Sequence, residues 1–259
     1  MPLLTRACGA TINWIERGVG PPVLLLAPGG MRSSIGHWSS QPFDALAKLS
    51  KSYRVIAMDQ RCGAGGSNGP LPKGWETFRD DQLAVLDAAN VGSSCLLVGS
   101  CIGPSFIFSL LQHSPARFSA AVLMQPIGLA EHTSEPVHWV GINTGASQHW
   151  YGDWAQGMED DSRAAKPALA ALYASMFVLP GRERFCFTAG HSELLRVTHP
   201  LLVYAGKDMF HPTDVAKQIA ASAPNAEYVE RWRDEAYTSD VVDDRIESFL
   251  REHSAAAQR

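Results

Sequence analysis

Short runs of consecutive apolar residues recur along the chain, separated by stretches of helical period. VLLLA (Val23 to Ala27), RVIAM (Arg54 to Met58), CLLVG (Cys95 to Gly99), AAVLM (Ala120 to Met124) and LLVYA (Leu201 to Ala205) are all of this kind. A strand covered on both faces reads this way, because neither face meets water. Thr11 to Arg17 instead alternates and ends at Gly18, as a strand in an antiparallel pair does. Between the runs, Thr77 to Ala89 brings Phe78, Leu83, Leu86 and Ala89 near one face. Thr77 is its expected cap, with Asp80 and Asp81 favourable in the first turn. Gly103 to His113 predicts a second apolar helix, stopped near Pro115, and Asp240 to Glu252 an amphipathic last one. The alternation predicts an α/β fold: a mostly parallel twisted sheet with helices on both faces.

The alternation breaks after Met124 and resumes at LLVYA. The pattern therefore divides the chain into a core, residues 1–125 and 200–259, and a helical insertion, residues 126–199. The insertion has no clear strand run and is rich in small residues and tryptophan (Trp139, Trp150, Trp154). Its place between two strands lets it cover the sheet's C-terminal end as a cap. Helices on the sheet flank, with no part in a site, are the other reading.

Composition narrows the function classes. With 259 residues, 46% apolar, the chain can bury a large core. A formal charge of -4 offers no basic field for a phosphate backbone, so nucleic acid is not an expected partner. The five cysteines are Cys8, Cys62, Cys95, Cys101 and Cys186, an odd number with no CxxC pair or zinc spacing. Free thiols in a reducing, cytoplasmic compartment are expected. The N-terminus shows no leader pattern, and no uncharged apolar stretch approaches the ~20 residues that span a bilayer. The expectation is a small-molecule substrate with no membrane, metal or cofactor, and a homodimer is left open.

The chemistry gathers at Gly99-Ser100-Cys101-Ile102-Gly103, between a strand run and a helical run. A glycine-x-nucleophile-x-glycine turn has meaning only in that context. The chain reverses sharply there, the central residue is strained, and flanking side chains would collide with their neighbours. Ser100 would need glycine at positions 98 and 102, which are Val98 and Ile102, so only Cys101 fits. Its side chain would stand at a helix N-terminus, where amides and dipole favour an anion. A thiol, with a reference pKa of ~8.5, reaches its reactive form with less help than a hydroxyl. A small cysteine buried in a tight turn is the bland alternative.

Three further motifs follow in order at the ends of strand runs. They are PGGM (Pro28 to Met31), DQRCGAGGS (Asp59 to Ser67) and GKDMFHP (Gly206 to Pro212). With them the chain resembles the α/β-hydrolase fold superfamily over nearly its whole length. PGGM is similar to the HGG-type oxyanion loop with proline for histidine, and DQRCGAGGS to the Asp-x-Arg-Gly-rich loop. The resemblance implies Cys101 as nucleophile, the Ile102 N–H as one oxyanion donor, and Gly30 or Met31 as the second. It implies Asp208 as the acid, although a turn aspartate there would also cap the next helix.

The family places its histidine just after the last strand, here near AEYVERW (Ala226 to Trp232). This sequence continues Arg233-Asp234-Glu235-Ala236-Tyr237, with no histidine. His211 is taken as the base beside Cys101 and Asp208, with His37 and His191 as the other candidates. His132, His138 and His149 cannot be ranked; Glu235 could serve as a carboxylate base, although an exposed surface glutamate is the preferred reading. His37, Trp38, Trp139 and His191 are expected to line the substrate pocket, although large aromatics also fill cores. The expected reaction is hydrolysis or transfer of an acyl group from a small ester, lactone or thioester. Two other readings stay open on the same fold. One is non-covalent C–C cleavage, elimination or cofactor-free oxygen chemistry; the other is a catalytically silent ligand-binding protein.

Overall fold

A computed structural model describes residues 2–129, 151–160, 165–178, 183–208, 210–233 and 239–254. Eight strands form one sheet: β1 (Leu3–Thr5), β2 (Thr11–Arg17), β3 (Pro22–Leu26), β4 (Arg54–Met58), β5 (Cys95–Ser100), β6 (Phe118–Met124), β7 (Leu201–Tyr204) and β8 (Ala226–Val229). Their order is β1-β2-β4-β3-β5-β6-β7-β8. β2 runs antiparallel to both β1 and β4, and the remaining pairs are parallel. The centre is in tight register, with Leu24 opposite both Ile56 and Leu97.

The apolar runs explain the layers. Alternate residues of each central strand enter opposite cores. Leu24, Leu26, Leu97, Leu123 and Val203 point into one, while Val23, Leu25, Leu96, Val122 and Leu202 point into the other. Each core needs a cover of helices, since a bare apolar sheet face is unstable in water. Helices α1 (Ala45–Leu49) and α8 (Ser239–Glu252) cover the second core through residues such as Leu49, Ile246 and Leu250. The first core is covered by α2 (Trp75–Ala88), α3 (Gly103–His113), α4 (Asp153–Asp160), α5 (Lys166–Phe177), α6 (His191–Leu194) and α7 (Thr213–Ser222).

Two local expectations change. β1 is too short and too exposed to show in the apolar pattern. α2 begins at Trp75 after Gly74, which makes no side-chain cap, and the Thr77 hydroxyl instead accepts the Lys73 N–H at 3.0 Å. Its first-turn acid is Glu76. Asp81 is buried one turn further on, where it accepts from Arg61 Nε at 2.9 Å and Nη2 at 2.8 Å, and from Arg6 at 3.1 Å. A buried carboxylate needs such partners, and this pair anchors the loop after β4. Asp59 pins the same loop by accepting from the Asn13 side chain at 2.5 Å and from the N–H groups of Ile35 and Gly66 at 2.8 Å.

Between β6 and β7 the described residues form helices only. Trp154 of α4 is buried and donates its indole N–H to the Cys62 carbonyl at 3.0 Å, tying this segment to the loop after β4. Among the described residues no helix is long and apolar enough to cross a membrane, and no group of three or more His, Cys, Asp or Glu could hold a metal ion. The parallel register brings the loops after β3, β4, β5 and β7 to one edge of the sheet, where the candidate chemistry lies.

Candidate active site

Cys101 occupies the corner between β5 and α3 at a φ of +61°. A non-glycine residue held there costs about 1–3 kcal/mol, so surrounding bonds must impose it. The Cys101 N–H donates to the Met124 carbonyl at 3.0 Å, and the Cys101 carbonyl accepts the Ile127 N–H at 3.1 Å. Gly103 makes the corner sterically feasible, because a Cβ there would lie 2.4 Å from the Leu26 carbonyl oxygen. The Cys101 side chain is only 6% exposed, yet it lines a cavity of about 550 Å³.

The loop after β7 brings the other groups. Gly206 lets this loop fold back on itself, since a Cβ there would stand 2.2 Å from the His211 Cβ. Asp208 then accepts the backbone N–H of Phe210 at 2.9 Å and that of His211 at 3.0 Å. Its Oδ1 also meets His211 Nδ1 at 2.7 Å. That bond fixes the ring and fixes Nδ1 as the protonated nitrogen. His211 shares the cavity with Cys101.

The two side chains set each other's charge. Burial pushes the Cys101 thiol up, but the His211 charge, then the His211 N–H and the amides of Gly29 and Gly30, outweigh it and hold it below the usual thiol range. Burial alone would push His211 down; the Cys101 charge and the bond to Asp208 raise it to about 9. The His211 hydrogen bond holds Asp208 at about 2. Nε2 of His211 is buried with no partner of strict hydrogen-bond geometry. Its link to the thiol is therefore one of charge first, as in resting sites whose contacts tighten only around substrate. Each group thus favours the charged form of the other.

Comparison with known proteins agrees with the fold. A family model described as alpha/beta hydrolase fold matches residues 22–139. An α/β hydrolase from Sphaerobacter thermophilus superposes with a TM-score of 0.64 at 20% identity, covering 96% of this chain and all (100%) of that one. A meta-cleavage product hydrolase from Pseudomonas fluorescens IP01 gives 0.63 at 18%, over 97% and 95%. An esterase from Rhodococcus sp. ECU1013 gives 0.63 at 19%, over 97% and 98%. The chain has the α/β-hydrolase fold. No curated protein matches it.

Measured against that α/β-hydrolase frame, the expected site residues divide. Cys101, Gly30, His37 and His211 line one cavity, with Asp208 bonded to His211. Ile102 sits at the head of α3 as its N-cap, so its N–H precedes the helix's own bond ladder. The amides beside the sulfur are those of Gly29 and Gly30, while Met31 is buried in the core. Trp38 is fully buried in the core on the other side of the sheet, because a 3₁₀ turn rotates neighbouring side chains about 120° apart. His191 is exposed at the start of α6 and pairs with the Ser222 hydroxyl at 2.6 Å, away from the cavity. Trp139, His132, His138, His149 and Glu235 lie outside the described residues.

After β8, where this fold usually carries histidine, stand Trp232 and Arg233. The Trp232 indole donates to the Ala205 carbonyl at 2.6 Å, and Arg233 donates to the Gln125 side-chain oxygen. The sequence reading missed Gly29, Arg32, Asp153 and Phe210, which also line the cavity. For Gly29 the signal was present, since the PGGM motif offers two adjacent glycines.

Proposed function

We propose that this protein is a cysteine-dependent hydrolase or acyltransferase acting on a small ester, lactone or thioester. The observation that carries the reading is Cys101, at a strained strand–helix corner, sharing one cavity with an Asp208-bonded His211. The hydrolase and esterase descriptions of the similar solved proteins support the reaction class.

In this mechanism the Cys101 thiolate attacks the acyl carbon. A C–S bond forms, and the carbonyl π pair moves to oxygen. Amides at the Gly29–Gly30 turn and at Ile102 receive that oxyanion, each worth about 3–4 kcal/mol when well aimed. Collapse expels the alkoxide or thiolate leaving group, which takes the proton from the His211 imidazolium. A water or acceptor alcohol then gives its proton to His211 and attacks the thioester. The second collapse breaks the C–S bond and restores the thiolate–imidazolium pair. Asp208 holds the ring through both halves and stabilises its charged form. We take residues 126–199 as a cap over this site, with the bond from Trp154 to Cys62 as support.

The readings without covalent attack drew on the missing histidine after β8. His211, bonded to Asp208 in the same cavity as Cys101, supports covalent attack over them. The test is mass spectrometry after mixing with p-nitrophenyl esters. An acyl mass increment on Cys101, absent in Cys101→Ala together with turnover, is expected. Turnover that survives Cys101→Ala would end the proposal.

A further inference from the structure

The geometry points to Arg32 as a binding group for a carboxylate on the substrate, at the far end from the reacting carbonyl. The proposal rests on the thiol-acylation reading for its reactive end. Two cavities meet at this arginine. One, of about 550 Å³, holds Cys101 and His211; the other, of about 320 Å³, is walled by Cys62, Ala64 and Trp154. Arg32 and Asp153 line both. A substrate reaching from the thiol into the second cavity passes the guanidinium.

Arg32 is held at that junction by its backbone. Its N–H donates to the Gly29 carbonyl at 2.9 Å, and its carbonyl accepts the Ala64 N–H at 3.1 Å. The side chain, by contrast, makes no hydrogen bond or ion pair among the described residues. The other cation of the reactive cavity, His211, is occupied by Asp208 and Cys101. His37, also on the wall, is held toward its neutral form by burial and then by the Arg32 charge. The acids of the cleft already have partners. Asp160 accepts from the Gln156 amide at 2.8 Å, and Asp153 has an interaction of its own. An exposed guanidinium with no partner among the described residues, on the wall of the cavity that holds the thiol, is suited to a carboxylate, which it can grip through two parallel N–H bonds. The substrate class is then an ester or thioester of a dicarboxylic acid.

Two measurements test this. In the first, p-nitrophenyl hemiglutarate and p-nitrophenyl valerate are compared in the wild type and in Arg32→Gln. The wild type is expected to prefer the hemiglutarate, and Arg32→Gln to lower its kcat/KM about 10- to 100-fold while leaving the valerate within about twofold. Equal loss on both esters, or a wild-type preference for valerate or for an ester with an ammonium chain, overturns the proposal. The second measurement needs no turnover: calorimetry of monomethyl glutarate binding to Cys101→Ala, with and without Arg32→Gln. Binding weakened by a similar factor is expected, and binding that is absent or unchanged overturns the proposal. If monomethyl glutarate binds through Arg32 but no acyl-enzyme forms, the thiol mechanism falls and the carboxylate subsite stands. If the acyl-enzyme forms and Arg32→Gln moves neither measurement, only the subsite falls.

Discussion

Strand β5 carries a thiol at its first residue and another just past its last. Both Cys95 and Cys101 are buried. Burial pushes Cys95 up to about 12, and nothing nearby offsets it strongly. At Cys101 the same burial is outweighed by His211 and the amides of Gly29 and Gly30, and the thiol goes down. The difference lies in which end of a parallel sheet each occupies. The N-terminal end of β5 is closed by packing; the C-terminal end opens onto helix heads and loops that carry charge and N–H groups. Burial makes a charge costly, and partners decide whether it forms anyway.

The largest effect that sharpens this contrast is alkylation. At pH 7, iodoacetamide is expected to label Cys101 about 10³-fold faster than Cys95, from their thiolate fractions. Comparable rates, read by peptide mass spectrometry, would erase the distinction. His211→Gln comes next. It is expected to lower ester turnover by about 10²- to 10⁴-fold and to move the midpoint of Cys101 alkylation toward ~8.5 or above. Asp208→Asn is expected to cost less, about 10- to 100-fold, because a thiolate depends less on its orienting acid than a hydroxyl does. The smallest effect belongs to the other end of the strand: Cys95→Ala leaves kcat/KM within about twofold and lowers stability by about 1 kcal/mol, read from denaturant unfolding.

The pH dependence follows from the same pair. Turnover is expected to rise as Cys101 ionises below the ordinary thiol range and to fall near pH 9, where His211 loses the proton the leaving group needs. Stability changes in matching windows. His211, raised to about 9, supports the fold fully below the unfolded imidazole's ~6.5 and loses that support as pH climbs through about 9. Asp208, lowered to about 2, supports it above an unfolded value of ~3.9 and loses that support as pH falls through about 2.

The strands were legible because their apolar runs feed two cores at once, and the nucleophile turn because its glycines are sterically required. The last helix followed from its amphipathic pattern, whereas the half-exposed last strand was placed only through the family resemblance. Trp38 and His191 misled, since a large aromatic next to a loop motif and a histidine in an insertion look alike whether they face a cavity or a core. Arg32 was invisible for the opposite reason. Nothing in the residue spacing tells that two separate loops clasp its backbone at the meeting point of two cavities.

Asp208 and His211 hang from a single turn three residues apart, whereas the usual arrangement splits such groups between two strand ends. The bond between them and the two backbone bonds to Asp208 tie them into one local unit. Any change in that turn acts on proton donor and orienting carboxylate together. Grafting the stretch from Gly206 to Pro212 onto a related scaffold would carry both across in one piece, and a one-residue deletion within it would remove both at once.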